Sequence, residues 1–186
     1  MDKKTRSIGL RVALFGDVPV AGGMAASLLQ LARTMKGTAS FNTEADTTQD
    51  FYCEEEPAVP VESVSTEAGL KQLKLNFMEW DNDTLIKVFG GTEGEEEEVT
   101  VDGKTYTVKK YQAPSEMVTV EQSVRVISLH NVVIDIPRAQ ITARFVWNLT
   151  RTDIAQIEVT AKILAPFGAN DKPYYIYQLG EAKAGA

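Results

Sequence analysis

Two side chains in this sequence could do chemistry near neutral pH without help, His130 and Cys53, and each residue type occurs once. Together an imidazole and a thiol can make a base and a nucleophile, but such a pair also needs an orienting acid and a marked place in the fold. Nothing links the two. Cys53 lies in a polar, acidic stretch, and His130 stands beside Asn131 at an expected turn between strands. Cys53 therefore reads as a small, inert hydrophobe and His130 as a turn residue bonded to backbone. A single cysteine allows no intrachain disulfide and fits a reducing compartment. One His and one Cys do not make a metal site of the usual kind, so neither metal nor cofactor is expected.

Three other patterns imitate chemistry. Gly90-Gly91-Thr92-Glu93-Gly94 looks like a phosphate loop, but it follows an expected helix instead of preceding one, lacks the GK[ST] ending and adjoins acids that repel phosphate. The acidic run from Glu93 to Glu98 lies on an expected strand, where neighbours point to opposite faces, and lacks the spaced ligands of a calcium loop. It reads as a solvated gatekeeper. Distant carboxylates could still pair as in glycoside hydrolysis, but nothing selects two of them. Trp80, Phe145 and Trp147 could line a ligand cavity in a small barrel, though aromatics at inward strand positions more often fill a core.

The chain's 186 residues suffice for one domain with a proper core. A net charge of −7 and a pI near 4.8 offer duplex DNA no basic footprint. Lys3, Lys4 and Arg6 before an apolar stretch resemble a signal peptide, but Arg11 and Gly16-Asp17-Val18-Pro19 interrupt it too early. No window reaches the roughly twenty apolar residues of a spanning helix, so no membrane partner is expected and the chain reads as a cytoplasmic product.

The elements that must position these residues become legible after residue 70. Leu73, Leu75 and Phe77 alternate with Gln72, Lys74 and Asn76, the pattern of a half-buried strand. Asp81 is placed to cap a helix over about 82–89, with Trp80 and Leu85 at staple positions, Leu85, Val88 and Phe89 on one face, and Gly90 as the stop. Asp102-Gly103 between alternating residues predicts a two-residue hairpin at 95–110, pairing Val101 with Lys104 and Val99 with Tyr106. A strand over 118–129 shifts its apolar phase between Val126 and Ile127, which predicts a bulge. Val132, Ile134 and Ile136 precede Pro137. Two long alternating strands, 139–149 and 154–164, then make a hairpin with one dry face. A last strand is expected at 174–179.

Upstream the signals weaken. Residues 8–15 suit a short strand, while 25–35 carry Leu28, Leu29, Leu31, Ala32 and Met35 at near-helical spacing yet leave helix and strand equally open. Residues 38–43 and 59–64 suit edge strands, and the rest of 42–65 reads as a long loop. The expectation is an N-terminal arm with a first strand or helix (1–36), one β domain (37–180) and a flexible tail (181–186). The fold class is mainly β, an antiparallel sandwich or barrel with one short packed helix. Phe77, Leu85, Phe89, Phe145, Trp147, Ile157 and Val159 are the expected core.

Two segments together resemble the tail tube subunits of long-tailed phages, a family similar to the inner tubes of contractile injection machines. The first runs Leu73-Lys74-Leu75-Asn76-Phe77-Met78-Glu79-Trp80-Asp81 through Phe89-Gly90-Gly91, a strand followed by an acid-capped helix ending in a double glycine. The second is Val132-Val133-Ile134-Asp135-Ile136-Pro137-Arg138-Ala139-Gln140-Ile141 with the long hairpin closing on Val159-Thr160-Ala161-Lys162-Ile163-Leu164-Ala165-Pro166. The resemblance covers about half the chain and implies a structural subunit, not an enzyme. It implies hexameric rings with a continuous inner barrel, stacked into a tube through which DNA passes without specific binding. Its partners are then further copies of itself and other tail proteins, and its place is the virion tail, assembled in the bacterial host cytoplasm. Bridges between copies would come from the N-terminal arm with Leu10 and Val12, from 38–65, and from the hairpin tip at Asp102, Gly103 and Lys104. A six-subunit ring would carry −42, six times the chain's −7. The alternatives are an inner tube of a contractile injection system, a ligand-binding β-barrel with Trp147 and Phe145 in its pocket, and, last, a hydrolase of unknown type.

Overall fold

The long hairpin expected at 139–164 forms the centre of the molecule. The computed structural model describes residues 5–180; residues 1–4, which begin the expected arm, and the expected tail at 181–186 lie outside the described residues. Along the described chain run β1 (Leu10–Asp17), β2 (Ser40–Thr43), β3 (Thr47–Phe51), β4 (Glu62–Glu67), β5 (Lys71–Phe77), α1 (Asn82–Phe89), β6 (Thr92–Val101), β7 (Lys104–Gln112), β8 (Val120–Ser128), β9 (Val132–Val146), β10 (Gln156–Ile163) and β11 (Tyr175–Gln178). Seven strands make one antiparallel sheet in the order β1-β8-β9-β10-β5-β2, with β11 added to β9. Two ribbons, β3-β4 and β6-β7, stand apart from it.

The spine is β9, whose fifteen residues merge two expected strands into one. Pro137 sits inside it, where a missing N–H would break the ladder. A bulge absorbs the break: between the pairs Gln122–Ala139 and Val124–Ile136, Pro137 and Arg138 stand opposite the single Ser123. Ser123 Oγ donates to the Pro137 carbonyl at 2.6 Å, so that group stays satisfied inside the core. The bulge re-aims Arg138, whose guanidinium forks onto both Glu121 carboxylate oxygens at 2.7 Å and lies 4.1 Å from the centre of the Phe167 ring. Arg138 in turn holds the Glu121 carboxyl below its ordinary pKa. The bulge expected between Val126 and Ile127 falls in a partner strand, where Arg11 of β1 is the extra residue between the pairs Leu10–Ser128 and Val12–Ile127, while β8 itself runs on. Gln122, Val124, Val126 and Ser128 of β8 keep one buried phase throughout, and Ile127 simply faces outward.

The core lies on the inward face of β5, β8, β9 and β10. Phe77, Ile157 and Phe145 occupy one register row across three strands, and Leu75, Val159 and Ala143 the next. Phe77 and Ile157 are fully buried, and Val159 and Leu85 are also buried. Phe89 is half-buried against the cluster. Fully burying side chains of this size contributes about 1.5–3 kcal/mol each.

Residues between β1 and β2 link one end of the sheet to β5 near the other. Residues 25–35, left open between helix and strand, are extended; Leu29 bridges Phe15 of β1 and Thr34 bridges Phe77 of β5. Met35 N–H donates to the Asn76 carbonyl at 2.7 Å, and Met78 N–H to that of Arg33 at 3.0 Å. The segment straps the open side of the curled sheet and seats Ala32 in the core. Its apolar spacing therefore reflects packing across a seam and not a helical face.

Helix α1 has the bounds and caps expected of it. Asp81 accepts from Thr84 N–H at 2.8 Å and Thr84 Oγ1 at 2.7 Å, which holds its carboxyl below the ordinary pKa. Gly90 closes the helix at φ 76°. On the outer side of the sheet, Arg125 grips buried Asp135 with two hydrogen bonds (2.6 and 2.7 Å), and the Tyr177 hydroxyl donates to the same carboxylate at 2.9 Å, pinning β11 to β9.

Candidate functional site

The ribbon β6-β7 is built on the expected turn. Asp102 and Gly103 both take positive φ, 51° and 73°, the geometry of a type I′ turn, and Val101 pairs Lys104 while Val99 pairs Tyr106. The ribbon is longer than expected, Thr92 to Gln112, and ten residues at about 3.3 Å each carry its tip about 30 Å from its root. Its root is tied to α1: Asn82 Nδ2 donates to Glu93 Oε1 (2.9 Å) and to the Lys109 carbonyl (3.0 Å), and Tyr111 OH donates to the Gly90 carbonyl at 2.7 Å. Gly91 is required there, since its φ is 91° and a Cβ would strike the Gln112 carbonyl. The acidic run is laced to the partner strand, Glu93 and Glu96 to Lys109 and Glu97 to Lys110, which makes it a charged, self-paired edge. One face of the ribbon carries Val99, Val101, Tyr106 and Val108, of which Val101 and Tyr106 are exposed.

The second ribbon corrects an expectation. The region 42–65, expected to be a long loop apart from an edge strand at 59–64, holds the hairpin β3-β4, paired from Thr47–Glu67 to Phe51–Glu62; β4 overlaps the expected edge strand, β3 replaces loop, and all eleven strand residues are exposed. Threonine, serine and acids without apolar alternation hide such a strand from periodicity, because neither face meets a core. At its end Phe51, Tyr52, Val59 and Val61 are exposed beside Glu54, Glu55 and Glu56.

Leu10 and Val12 fall in neither ribbon. They line a cleft of about 780 Å³ at the seam where β1 and β2 face one another, floored by Leu73, Val126 and Ile134. The expected contact residues therefore divide between two places: Asp102, Gly103 and Lys104 at an exposed tip, and Leu10 and Val12 half-buried in a groove.

Phe145 and Trp147 are corrected from core to surface; each is 45% exposed. Phe145 is in phase with Ile157 and Phe77, but its row lies at the rim of the core, and Trp147 follows the end of β9. The two join a shelf in which Phe89 stacks on Phe145 (4.6 Å), Phe145 meets Trp147 edge-on (4.9 Å) and Trp147 stacks on Trp80 (5.1 Å). Trp80, expected to staple onto Leu85, stacks in this shelf, whose Trp80, Phe145 and Trp147 are all partly exposed.

The two reactive side chains stay separate. His130 occupies the β8–β9 turn with Nδ1 3.3 Å from the Arg6 carbonyl, and Cys53 lies in the β3–β4 connection. Among the described residues no group of three or more His, Cys, Asp or Glu side chains is arranged to hold a metal ion. Nor is any helix among the described residues long and apolar enough to cross a membrane.

A comparison with curated proteins gives no match. The family model described as phage tail tube protein matches residues 34–183, which take in both ribbons, α1 and every strand of the sheet except β1. That span is well over half of the 186 residues, so a one-helix, antiparallel β fold with two projecting ribbons belongs to the phage tail tube protein family.

Proposed function

We propose that this chain builds the wall of a phage tail by closing with its own copies into hexameric rings that stack around the DNA path. The observation that carries the reading is the pair of exposed ribbons. An isolated two-stranded hairpin is marginal in water, yet both are extended here with almost nothing of their own chain against them. Neighbouring copies supply the missing cover, and an unpaired edge that would otherwise template aggregation becomes a designated joint. The Asp102-Gly103-Lys104 tip and the Leu10–Val12 groove are the joints between copies.

The acidic balance supports a passive conduit. A ring of six would carry −42 from the chain's −7, and like charge keeps a polyanion from adhering to the wall. The role is structural, with no catalytic step, and the partners are further copies and the other proteins of the virion tail. Assembly takes place in the host cytoplasm.

Electron microscopy tests this on two samples: concentrated purified protein, and tails assembled in cells carrying the gene. Six-fold rings or tubes with an open lumen are expected in at least one. Monomers in both samples would refute the proposal.

A further inference from the structure

Charge is distributed unevenly along this chain. Residues 44–67, which contain β3-β4, hold eight acidic residues and neither Lys nor Arg, a charge of −8. The whole chain carries −7, so everything outside that hairpin sums to +1. The acidity that sequence composition assigns to the protein at large is thus concentrated in one projecting ribbon. Its end places Glu54, Glu55 and Glu56 beside exposed Phe51, Tyr52 and Val61.

The seam cleft is the counterpart of that end. Arg11, Arg33 and Lys36 line it with no acidic residue among its walls, over an apolar floor of Leu73, Val126 and Ile134. These cations are available. Arg33 pairs only with Glu79 at 3.5 Å, both side chains being more than half exposed, and such a pair contributes little. Arg11 donates to the neutral Asn131 side chain, and Lys36 has no ion-pair partner among the described residues. The cleft lies between β1 and β2, the two terminal strands of the sheet order, beside the strap that bridges β1 at Phe15.

We infer that the β3-β4 hairpin of one copy docks into the β1/β2 cleft of the next, its aromatic end on the apolar floor and its glutamates against the basic rim. The inference rests on the tube reading and names the two surfaces through which copies of the chain meet. The hairpin does not line its own cleft: β2 starts at the cleft with Ser40 and Phe41 and leads away to Thr43, beyond which the hairpin begins. The contact therefore joins two different patches of the same chain, and such head-to-tail joints propagate.

Two full-length charge reversals test it, Glu54→Lys/Glu55→Lys/Glu56→Lys on the hairpin and Arg11→Glu/Arg33→Glu/Lys36→Glu on the cleft. Each alone should raise the protein concentration needed for assembly by roughly tenfold or more at low salt, since three unlike contacts become like. Because these charges are solvent-exposed, the effect should shrink as salt is raised. Mixing the two variants, or combining them in one chain, should restore assembly, which a folding defect could not do. Assembly unchanged by either reversal, or no recovery on mixing and combination, overturns the docking. Wild-type protein that never assembles, in solution or in cells, instead overturns the tube reading beneath it.

Cys53, the chain's single cysteine, supplies a second readout. A cysteine introduced in the cleft by Gln30→Cys should give a ladder of covalent multimers on mild oxidation, and the ladder should vanish in Cys53→Ser/Gln30→Cys. A disulfide closed within one chain, or multimers that persist without Cys53, would overturn the assignment.

Discussion

Replacing Asp135 by alanine should be among the most damaging single changes in the sheet, and its cost can be worked from the contacts. Asp135 accepts two hydrogen bonds from the Arg125 guanidinium, at 2.6 and 2.7 Å, and one from Tyr177 at 2.9 Å. Its side chain is 6% exposed and that of Arg125 is 32% exposed. Leaving a fully buried charge without its partner costs about 3–5 kcal/mol. Water reaches about a third of the arginine, which brings the expectation to about 2–3 kcal/mol. In a chain of this size that lowers Tm by roughly 4–12 °C. Urea unfolding with an unchanged m-value is the assay. Tyr177→Phe should cost about 1 kcal/mol, because only the phenolic bond is lost. Arg125→Met/Asp135→Leu should recover most of the loss, since an apolar pair replaces the ion pair without leaving a stranded charge. An alanine variant within about 0.5 kcal/mol of wild type, or a double variant no better than Asp135→Ala, would refute the reasoning.

Ile157→Ala, at a fully buried site, should cost about 2–5 kcal/mol, whereas Trp147→Ala should cost well under the 3–5 kcal/mol of a core aromatic; paired denaturation curves check both. Gly103→Val should raise hydrogen exchange across the β6-β7 ribbon and block assembly, with global Tm nearly unchanged, because φ +73° strains any β-branched side chain while the site is otherwise open. Glu121 and Asp81 both have folded pKa values below their ordinary 4.5 and 3.8, so their contributions are complete above those values. They are lost as pH falls through the lowered folded values, and Glu121→Gln should flatten part of the acid limb below about pH 4.5 in a stability–pH series.

The parts of the fold that could be read from sequence are those where local chemistry and burial agree. Asp81 and Gly90 mark both ends of α1 because capping is a local hydrogen-bond problem, and Asp102-Gly103 fixes its hairpin because few residues tolerate positive φ in succession. Alternation over 139–163 reports a face pressed against the core. It cannot report where that core stops, and so Phe145 and Trp147 carry the inward phase while standing at the rim. Strand β3 has no buried face and left no period to read, and β4 was legible only in part, as the edge strand at 59–64. The strap at 25–35 owes its apolar spacing to two strands distant in sequence, β1 and β5, which no local pattern encodes. The 38–65 segment, Leu10 and Val12 were reached as contact candidates through the resemblance, but the acidic end of the hairpin and the basic rim of the groove were not legible, because a net charge conceals how the charges are placed.

The central claim is that this chain is a ring-forming wall subunit, and cryo-electron microscopy of its assemblies tests that claim most directly. Stacked six-fold rings with an open lumen are expected, in which β3-β4 of each copy enters the β1/β2 groove of another. A density map with closed, unstacked particles, or a chain that stays monomeric both in concentrated solution and in cells carrying the gene, would contradict it.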